Sequence, residues 1–281
     1  MWSSCTRRRP KSREPGKQLM SFQDRTVWIT GASSGIGEAL AEAFHDAGAK
    51  LILSARREAE LQRVQAKCGG EPNTRILPLD MSQAEEIPNK ARAALDMFAG
   101  IDFLVLNAGI SQRSLARDTD DAVYRRLMEV DFFGPEALTR AVLPRMLENK
   151  RGHIVVISSI AGKFGVPLRS GYSAAKFALH GFYEALRAEE ARNGIRVTLV
   201  CPGFIRTGIS LSALKGDGSR HAKMDPELAQ GMPAEECARQ ILKGVAREKE
   251  EICVAAAREK ALLYLKRFWP GLLTKMVSRA R

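Results

Sequence analysis

The sequence lacks the features that mark a zinc protein, a disulfide-bonded domain or a membrane-spanning protein. Its five cysteines are odd in number and never spaced as CxxC, and its four histidines follow no ligand pattern. Neither a disulfide framework nor a metal site is therefore expected, and a reducing compartment is favoured. No apolar run reaches the ~18 residues that a spanning helix needs, and the basic leader has no apolar signal region. These absences predict a cytoplasmic protein.

The body of the chain also lacks net charge, although the whole sequence carries +12. Residues 1–25 hold seven basic against two acidic side chains, and residues 258–281 hold seven against one. The other 232 residues carry 30 basic and 29 acidic side chains. A nucleic-acid-binding face needs basic residues clustered on the folded body, so no nucleic-acid partner is expected. The basic ends are interpreted as solvated, with residues 1–24 a disordered leader, or as a peripheral contact with an anionic membrane.

Short β-branched runs alternate with helical patterns along residues 26–255. Several runs are apolar almost throughout, as expected of strands that are covered on both faces. Repeated strand–helix units with short links predict a parallel sheet with right-handed crossovers. We therefore expect an α/β fold, with residues 25–255 forming a single doubly wound Rossmann-type domain of about seven strands and helices on both faces. The predicted strands are 26–30, 50–54, 74–79, 102–106, 153–158, 195–200 and 251–255.

Two segments depart from this alternation. Residues 203–233 are rich in Gly and Ser, and a long segment of this kind inside a compact domain predicts a substrate lid. Residues 256–281 predict a helix broken at Pro270 and a second short helix, which form a basic amphipathic extension. This extension packs on the body or on a second subunit, or lies on a membrane surface. The lid predicts a nonpolar pocket through Phe204, Ile205, Ile209, Leu211, Leu214 and Met224.

A glycine-rich turn follows the first predicted strand directly, and a helical pattern follows the turn. Glycines permit a tight turn and close backbone approach, and the amino end of a helix presents free N–H groups to phosphate. A purely structural turn needs the same residues, but the position between strand and helix favours a dinucleotide site. Residues 30–37 read TGASSGIG, and the predicted cofactor contacts are Gly31, Ser33, Ser34, Gly35, Ile36 and Gly37.

The end of the second predicted strand indicates which cofactor binds. It reads Ser-Ala-Arg-Arg and ends at Arg56 and Arg57, with no acid to take the ribose hydroxyls. An arginine at this place accommodates a 2′-phosphate, so NADP(H) is preferred over NAD(H). The alternative is that both arginines form a solvated helix start. Asp80, after the third strand, either accepts from the adenine amino group or caps a helix that starts near Ser82.

Tyr172 and Lys176 are four residues apart in a helical pattern, with Ser159 thirteen positions before the tyrosine. Positions i and i+4 share one helix face, so the ammonium can lie beside the phenol. A neighbouring positive charge favours the phenolate, and such a tyrosine can exchange a proton at neutral pH. Ser159 would hold the reacting oxygen. This trio predicts an enzyme.

With these residues in place, residues 24–255 resemble the short-chain dehydrogenase/reductase family, and several runs resemble its member seven B branch. The resemblance implies that Ser159, Tyr172 and Lys176 are catalytic, with Tyr172 and Lys176 also contacting the cofactor. The NAG and PG segments match the family's cofactor motifs, which implies contacts from Asn107, Ala108, Gly109, Pro202, Gly203 and Thr207. The fourth catalytic residue of the family is an asparagine whose backbone carbonyl helps hold a water that feeds protons to the lysine, and the resemblance implies that Asp131 serves in its place. An ionised carboxylate at this place would oppose deprotonation of the tyrosine.

The resemblance implies an NADP(H)-dependent oxidoreductase that interconverts a ketone or aldehyde and an alcohol. The substrate expected is lipophilic, such as a steroid, a retinoid or an acyl-lipid ketone, and the enzyme is expected to be a homodimer or homotetramer. Arg169 is interpreted as a surface residue rather than a contact for a substrate phosphate. Two alternatives stay open: a 3-oxoacyl-carrier-protein reductase, and a regulatory protein that binds NADP without turnover.

Overall fold

The fold is built on a seven-stranded sheet in a computed structural model that describes residues 20–279. The strand order is β3-β2-β1-β4-β5-β6-β9, and every pair is parallel. The strands are β1 Thr26–Thr30, β2 Lys50–Ser54, β3 Thr74–Ile76, β4 Phe103–Leu106, β5 Gly152–Ile157, β6 Ile195–Pro202 and β9 Glu251–Val254. The predicted α/β class and all seven strands are confirmed. The predicted leader falls mainly on residues 1–19, outside the described residues.

Helices cover both faces of the sheet. Those within the body are α1 Gly35–Asp46, α2 Glu58–Lys67, α3 Ile87–Met97, α4 Asp121–Met128, α5 Gly134–Glu148, α6 Ser170–Glu190 and α8 Ala234–Ala246. The side chains of β1 show why two layers are needed. Val27 and Ile29 pack in the layer of α1 and α8, whereas the intervening Trp28 packs in the layer of α3, α5 and α6. All three are fully buried, as the apolar strand pattern requires.

The predicted lid, residues 203–233, contains short regular elements rather than one irregular loop. Strand β7 (Ile205–Arg206) pairs with β8 (Met232–Pro233), and the one-turn helix α7 (Pro226–Ala229) lies between them. The C-terminal extension forms α9 (Ala257–Phe268) and α10 (Pro270–Arg279). The predicted break at Pro270 is confirmed, since proline cannot continue the preceding helix but suits a first helical turn. Within residues 20–279 no helix is long and apolar enough to cross a bilayer.

A π-helical turn, Glu129–Phe133, joins α4 to α5 within one continuous helical stretch. One local prediction was wrong. The helix expected near Ser82 starts only at Ile87, with Pro88 in its first turn. Asp80 therefore does not cap that helix. Its Oδ1 instead accepts hydrogen bonds from the N–H of Ser82 at 3.0 Å and its hydroxyl at 2.8 Å, which stabilises a turn.

Candidate active site

The carboxyl ends of β1 and β4 meet where the strand order reverses, and this is the usual ligand-binding crevice of an open α/β sheet. Gly31 follows β1 with a φ of +66°, which favours glycine. A side chain there would lie 2.8 Å from the Cα of Ala108, and one at Gly37 would overlap the carbonyl of Gly31. The Asn107 amide donates to the carbonyls of Thr30 and Gly31, both at 3.1 Å. These contacts hold the turn as a cradle, and its glycines leave no side chain at the points where the backbone approaches most closely.

The first turn of α1 opens into this cradle. Ser34 precedes the helix in an extended conformation (φ −169°), and its hydroxyl makes no capping hydrogen bond. The early N–H groups of a helix have no partner within the helix, so they are available to an anion. A cavity of about 540 Å³ lies here, and of the predicted contacts its lining includes Gly31, Ser33, Ser34, Gly35, Ile36, Asn107, Ala108, Gly109 and Thr207. Gly37 supports this turn from behind.

Arg56 and Arg57 line the other end of the same cavity, together with Asp80. Both arginines are exposed, and within residues 20–279 neither forms an ion pair. Burial alone would raise the pKa of Asp80, but the Ser82 hydrogen bonds and the charges of Arg126 and Arg56 outweigh it and lower this pKa. Asp80 is therefore an anion beside the two arginines. The residues fit a dinucleotide: an amide-lined cradle at one end and unpaired cations at the other.

A second cavity of about 150 Å³ contains the predicted catalytic trio. Ser159 follows β5, and its Oγ accepts from the N–H of Ala161 at 3.1 Å. Tyr172 is 9% exposed on α6, and Lys176 places its Nζ 5.6 Å from the centre of the tyrosine ring. The same Nζ donates to the carbonyl of Ile157 at 3.3 Å. The ammonium thus lies buried beside the phenol, one helical turn further along.

Asp131 lies in the π-helical turn and is fully buried. Its Oδ1 accepts from the N–H of Ile110 at 2.7 Å, and its Oδ2 lies 3.7 Å from Lys176 Nζ without a hydrogen-bond partner. Burial raises the pKa of Asp131 to about 6, against the charge of Lys176 and the Ile110 hydrogen bond, which lower it. The carboxylate and the ammonium therefore form a coupled buried pair next to the phenol.

The two cavities form one crevice, because Ile36, Asn107, Gly109, Thr207 and Ile209 line both of them. Pro202 and Gly203, which were predicted as cofactor contacts, line the trio side, and its walls are mainly apolar. Of the predicted apolar lid residues, Phe204, Ile205 and Ile209 line this part, and Leu211 lines the cofactor part. Leu214 and Met224 line neither cavity.

Arg169 is not the surface residue that we expected. Its side chain is only 19% exposed, lines the trio cavity and donates to Asp225 Oδ2 at 2.9 Å. Arg113 lines the same wall and donates twice to that oxygen, from Nε at 2.9 Å and Nη2 at 2.6 Å. Asp225 precedes α7, so this pair fastens the lid to the cavity wall. No local pattern signals it, because Arg113 and Asp225 are 112 residues apart.

Comparison with known proteins gives one consistent family. The family described as short chain dehydrogenase matches residues 25–217. A dehydrogenase/reductase SDR family protein 7-like of Anopheles gambiae is 44% identical, over 88% of this chain and 80% of that protein. Dehydrogenase/reductase SDR family member 7B of Danio rerio is 40% identical, over 93% of this chain and 87% of that protein. The resemblance to that branch is confirmed.

Solved structures agree with the sheet and its helices. A short-chain dehydrogenase from Streptomyces avermitilis superposes with a TM-score of 0.78 at 32% identity, covering 92% of this chain and 99% of that one. A short chain dehydrogenase/reductase from Burkholderia phymatum, solved in complex with NAD, gives a TM-score of 0.80 over 90% of this chain and 96% of that one. At 24% identity this second likeness concerns the fold alone.

Proposed function

The chain belongs to the short-chain dehydrogenase/reductase family and is thus an oxidoreductase; on that premise we propose that it interconverts a lipophilic ketone or aldehyde and the matching alcohol with NADP(H). One observation carries the proposal. Tyr172 and Lys176 line an apolar cavity that shares its lining with the larger cavity formed by the glycine-rich turn. A carbonyl compound held at this junction would lie between a proton donor and the cofactor.

The roles of the side chains follow from their places along the crevice. When bound, the nicotinamide would supply or take up the hydride. The Tyr172 hydroxyl donates a proton to the carbonyl oxygen in reduction and removes it from the alcohol in oxidation. Lys176 holds a positive charge beside the phenol, where negative charge develops on the Tyr172 oxygen as its proton leaves. Ser159 directs its hydroxyl to the same oxygen, where negative charge develops.

The cofactor preference rests on the two arginines at the end of β2. No carboxylate occupies the position that would receive the ribose hydroxyls of NAD, whereas Arg56 and Arg57 are exposed and line the cavity. A guanidinium matches the geometry of a phosphate group and binds it through two parallel hydrogen bonds. These features support NADP(H) over NAD(H).

The substrate class rests on the walls of the trio cavity. Ile160, Val166, Phe204, Ile209 and Leu228 line it, and pockets of this composition bind apolar compounds oriented by few polar groups. Steroids, retinoids and acyl-lipid ketones are the corresponding substrates. Phe133 directly precedes α5, and Phe177 lies on α6. Both side chains are exposed, and such apolar surface supports a homo-oligomer. The free thiols of the four described cysteines support a reducing, cytoplasmic compartment.

A substrate panel tests the proposed function. We expect the purified protein to oxidise NADPH with a steroid, retinal or an acyl-lipid ketone, with kcat/KM at least about 100-fold above that for a short ketone. Activity only with an acyl-carrier thioester would favour the carrier-protein reductase instead. NADPH binding without turnover across the panel would favour the regulatory protein.

Replacing Asp131 by asparagine should move the pH profile of alcohol oxidation. Below pH 6 the wild-type Asp131 carboxyl is protonated, and above pH 6 it is ionised and offsets the charge of Lys176. Asp131→Asn leaves that charge uncompensated at every pH, so we expect kcat/KM of the variant to exceed that of the wild type by about ten-fold above pH 6 and to match it below. The measurement is kcat/KM for oxidation against pH.

The control for this experiment is Asp96→Asn, which neutralises an exposed carboxylate on α3 and should leave the profile unchanged. Superimposable curves for the wild type and Asp131→Asn would contradict any influence of the buried carboxylate on the proton transfer.

A further inference from the structure

The C-terminal helices α9 and α10 expose an unusual amount of apolar surface. Ten large apolar side chains in residues 20–279 are at least 41% exposed, and five of them lie within residues 264–276. Larger exposed apolar patches mark protein or membrane contacts. We call these five residues the C-terminal platform: Tyr264 (67% exposed), Phe268 (63%), Trp269 (63%), Leu272 (50%) and Met276 (46%).

The platform residues are neighbours along the two helices. Tyr264 and Phe268 are spaced i, i+4 on α9, and Leu272 and Met276 have the same spacing on α10, so each pair shares a helix face. The rings of Phe268 and Trp269 are 6.0 Å apart at the junction and join the two pairs. Tryptophan and tyrosine carry a polar atom on an apolar ring, which suits the boundary between lipid and water.

Basic side chains frame the platform. They are exposed, and within residues 20–279 none of them forms an ion pair with a carboxylate. The one acidic residue of the extension, Glu259, is buried and accepts from the N–H of Ala256 at 2.9 Å. The surface therefore presents positive charge without compensation. The basic residues are Arg258, Lys260, Lys266, Arg267 and Lys275.

Another side of each of these helices packs against residues that line the substrate cavity. Leu262 on α9 and Leu273 on α10 belong to one apolar cluster with Ile160 and Val166. Ile160 and Val166 also line the trio cavity. One apolar cluster thus connects the two helices to the cavity wall, and a compound leaving a lipid surface at the platform would be delivered beside that wall.

We infer that the C-terminal platform docks the protein on an anionic lipid surface, with its aromatic residues in the headgroup region. A helix that exposes Trp, Phe and Leu together with Lys and Arg binds in this way. A second copy of the protein suits this surface poorly. A two-fold contact would place the five uncompensated cations of one copy close to the same five cations of the other copy. Residues 1–25 suit it poorly as well, because they carry a net +5. The docking stands independently of the proposed function; only the delivery of substrate depends on it.

Vesicle binding tests this inference with the full-length protein. We expect co-sedimentation with vesicles that contain phosphatidylserine and little with pure phosphatidylcholine. Because each basic side chain near the surface contributes roughly a five-fold gain in affinity, Lys266→Glu/Arg267→Glu should weaken binding at least ~20-fold. Phe268→Ser/Trp269→Ser should weaken it at least about ten-fold through lost apolar contact. Both changes are on exposed side chains, so melting temperatures should stay close to that of the wild type.

The matched control is Arg92→Glu/Lys243→Glu, which reverses two exposed, unpaired helix charges elsewhere and should leave binding unchanged. A Trp2→Phe background adds an optical readout, because Trp28 is fully buried and Trp269 is exposed. A blue shift of tryptophan emission on anionic vesicles is then expected. If the Lys266→Glu/Arg267→Glu variant bound anionic vesicles as well as the wild type does, the inference would be overturned. It would also be overturned if the wild type bound no vesicles and formed a dimer in light scattering that Phe268→Ser/Trp269→Ser dissociates.

Discussion

Tyr172→Phe is expected to lower kcat by about 10³-fold while cofactor binding stays intact. The substitution removes one hydroxyl and leaves the ring, which packs with Val123, Leu127 and Ala161. Within residues 20–279 the tyrosine hydroxyl has no hydrogen-bond partner, so the folded state loses no bond. A melting temperature within roughly 2 °C of the wild type is expected. Steady-state NADPH oxidation with the best ketone of the panel, beside a fluorescence titration of NADPH, measures both quantities.

Tyr124→Phe is the control for this experiment. Its hydroxyl lies 3.0 Å from Ser170 Oγ, outside the crevice, so its loss should leave kcat within about two-fold of the wild type. If Tyr172→Phe kept more than a tenth of the wild-type kcat, a group other than Tyr172 would have to donate the proton. If it lost NADPH binding instead, the tyrosine would serve the cofactor and not the reaction.

The sheet could be predicted from the sequence because its strands are buried on both faces. Val27, Trp28 and Ile29 alternate between two apolar layers, and only a strand with cover on each side tolerates three consecutive large apolar residues. The cofactor cradle could be predicted for a different reason. Glycine is required at individual positions of this turn, because a side chain at Gly31 or at Gly37 would collide with backbone atoms.

The features that escaped prediction depend on contacts between distant parts of the chain. Asp225, Arg113 and Arg169 come from three separate segments of the chain. Asp225 pairs with both arginines, and no sequence pattern around any of the three residues signals this pairing. The π-helical turn at Asp131 also lacks a local signature, because its residues are as compatible with an α-helix as those around them. That turn carries the carboxylate which lies beside Lys176. Sequence reasoning therefore named three polar residues that meet in one cavity, Ser159, Tyr172 and Lys176, but missed the two arginines in its wall, Arg113 and Arg169.

Removing both guanidinium groups at the end of β2 should reverse the cofactor preference. In Arg56→Ala/Arg57→Ala we expect KM for NADPH to rise about 100-fold and KM for NADH to change by less than about three-fold. Hydrogen bonds to a charged phosphate contribute ~1.5–3 kcal/mol each, and 1.4 kcal/mol corresponds to a factor of ten. NADH lacks the 2′-phosphate, so it loses none of these bonds. Because both arginines are exposed and unpaired within residues 20–279, their loss should leave stability unchanged.

The measurement is a pair of saturation curves, NADPH and NADH, with one ketone at a fixed concentration. Arg92→Ala, an exposed arginine on α3 that lines neither cavity, controls for the general loss of positive charge. Salt separates the possible outcomes further. If Arg56 and Arg57 bind the phosphate directly, the wild-type KM for NADPH should rise with ionic strength far more steeply than that of the double variant. An equal rise in KM for both cofactors would mean instead that the arginines hold a part common to both, and the preference for NADP(H) would lose its basis.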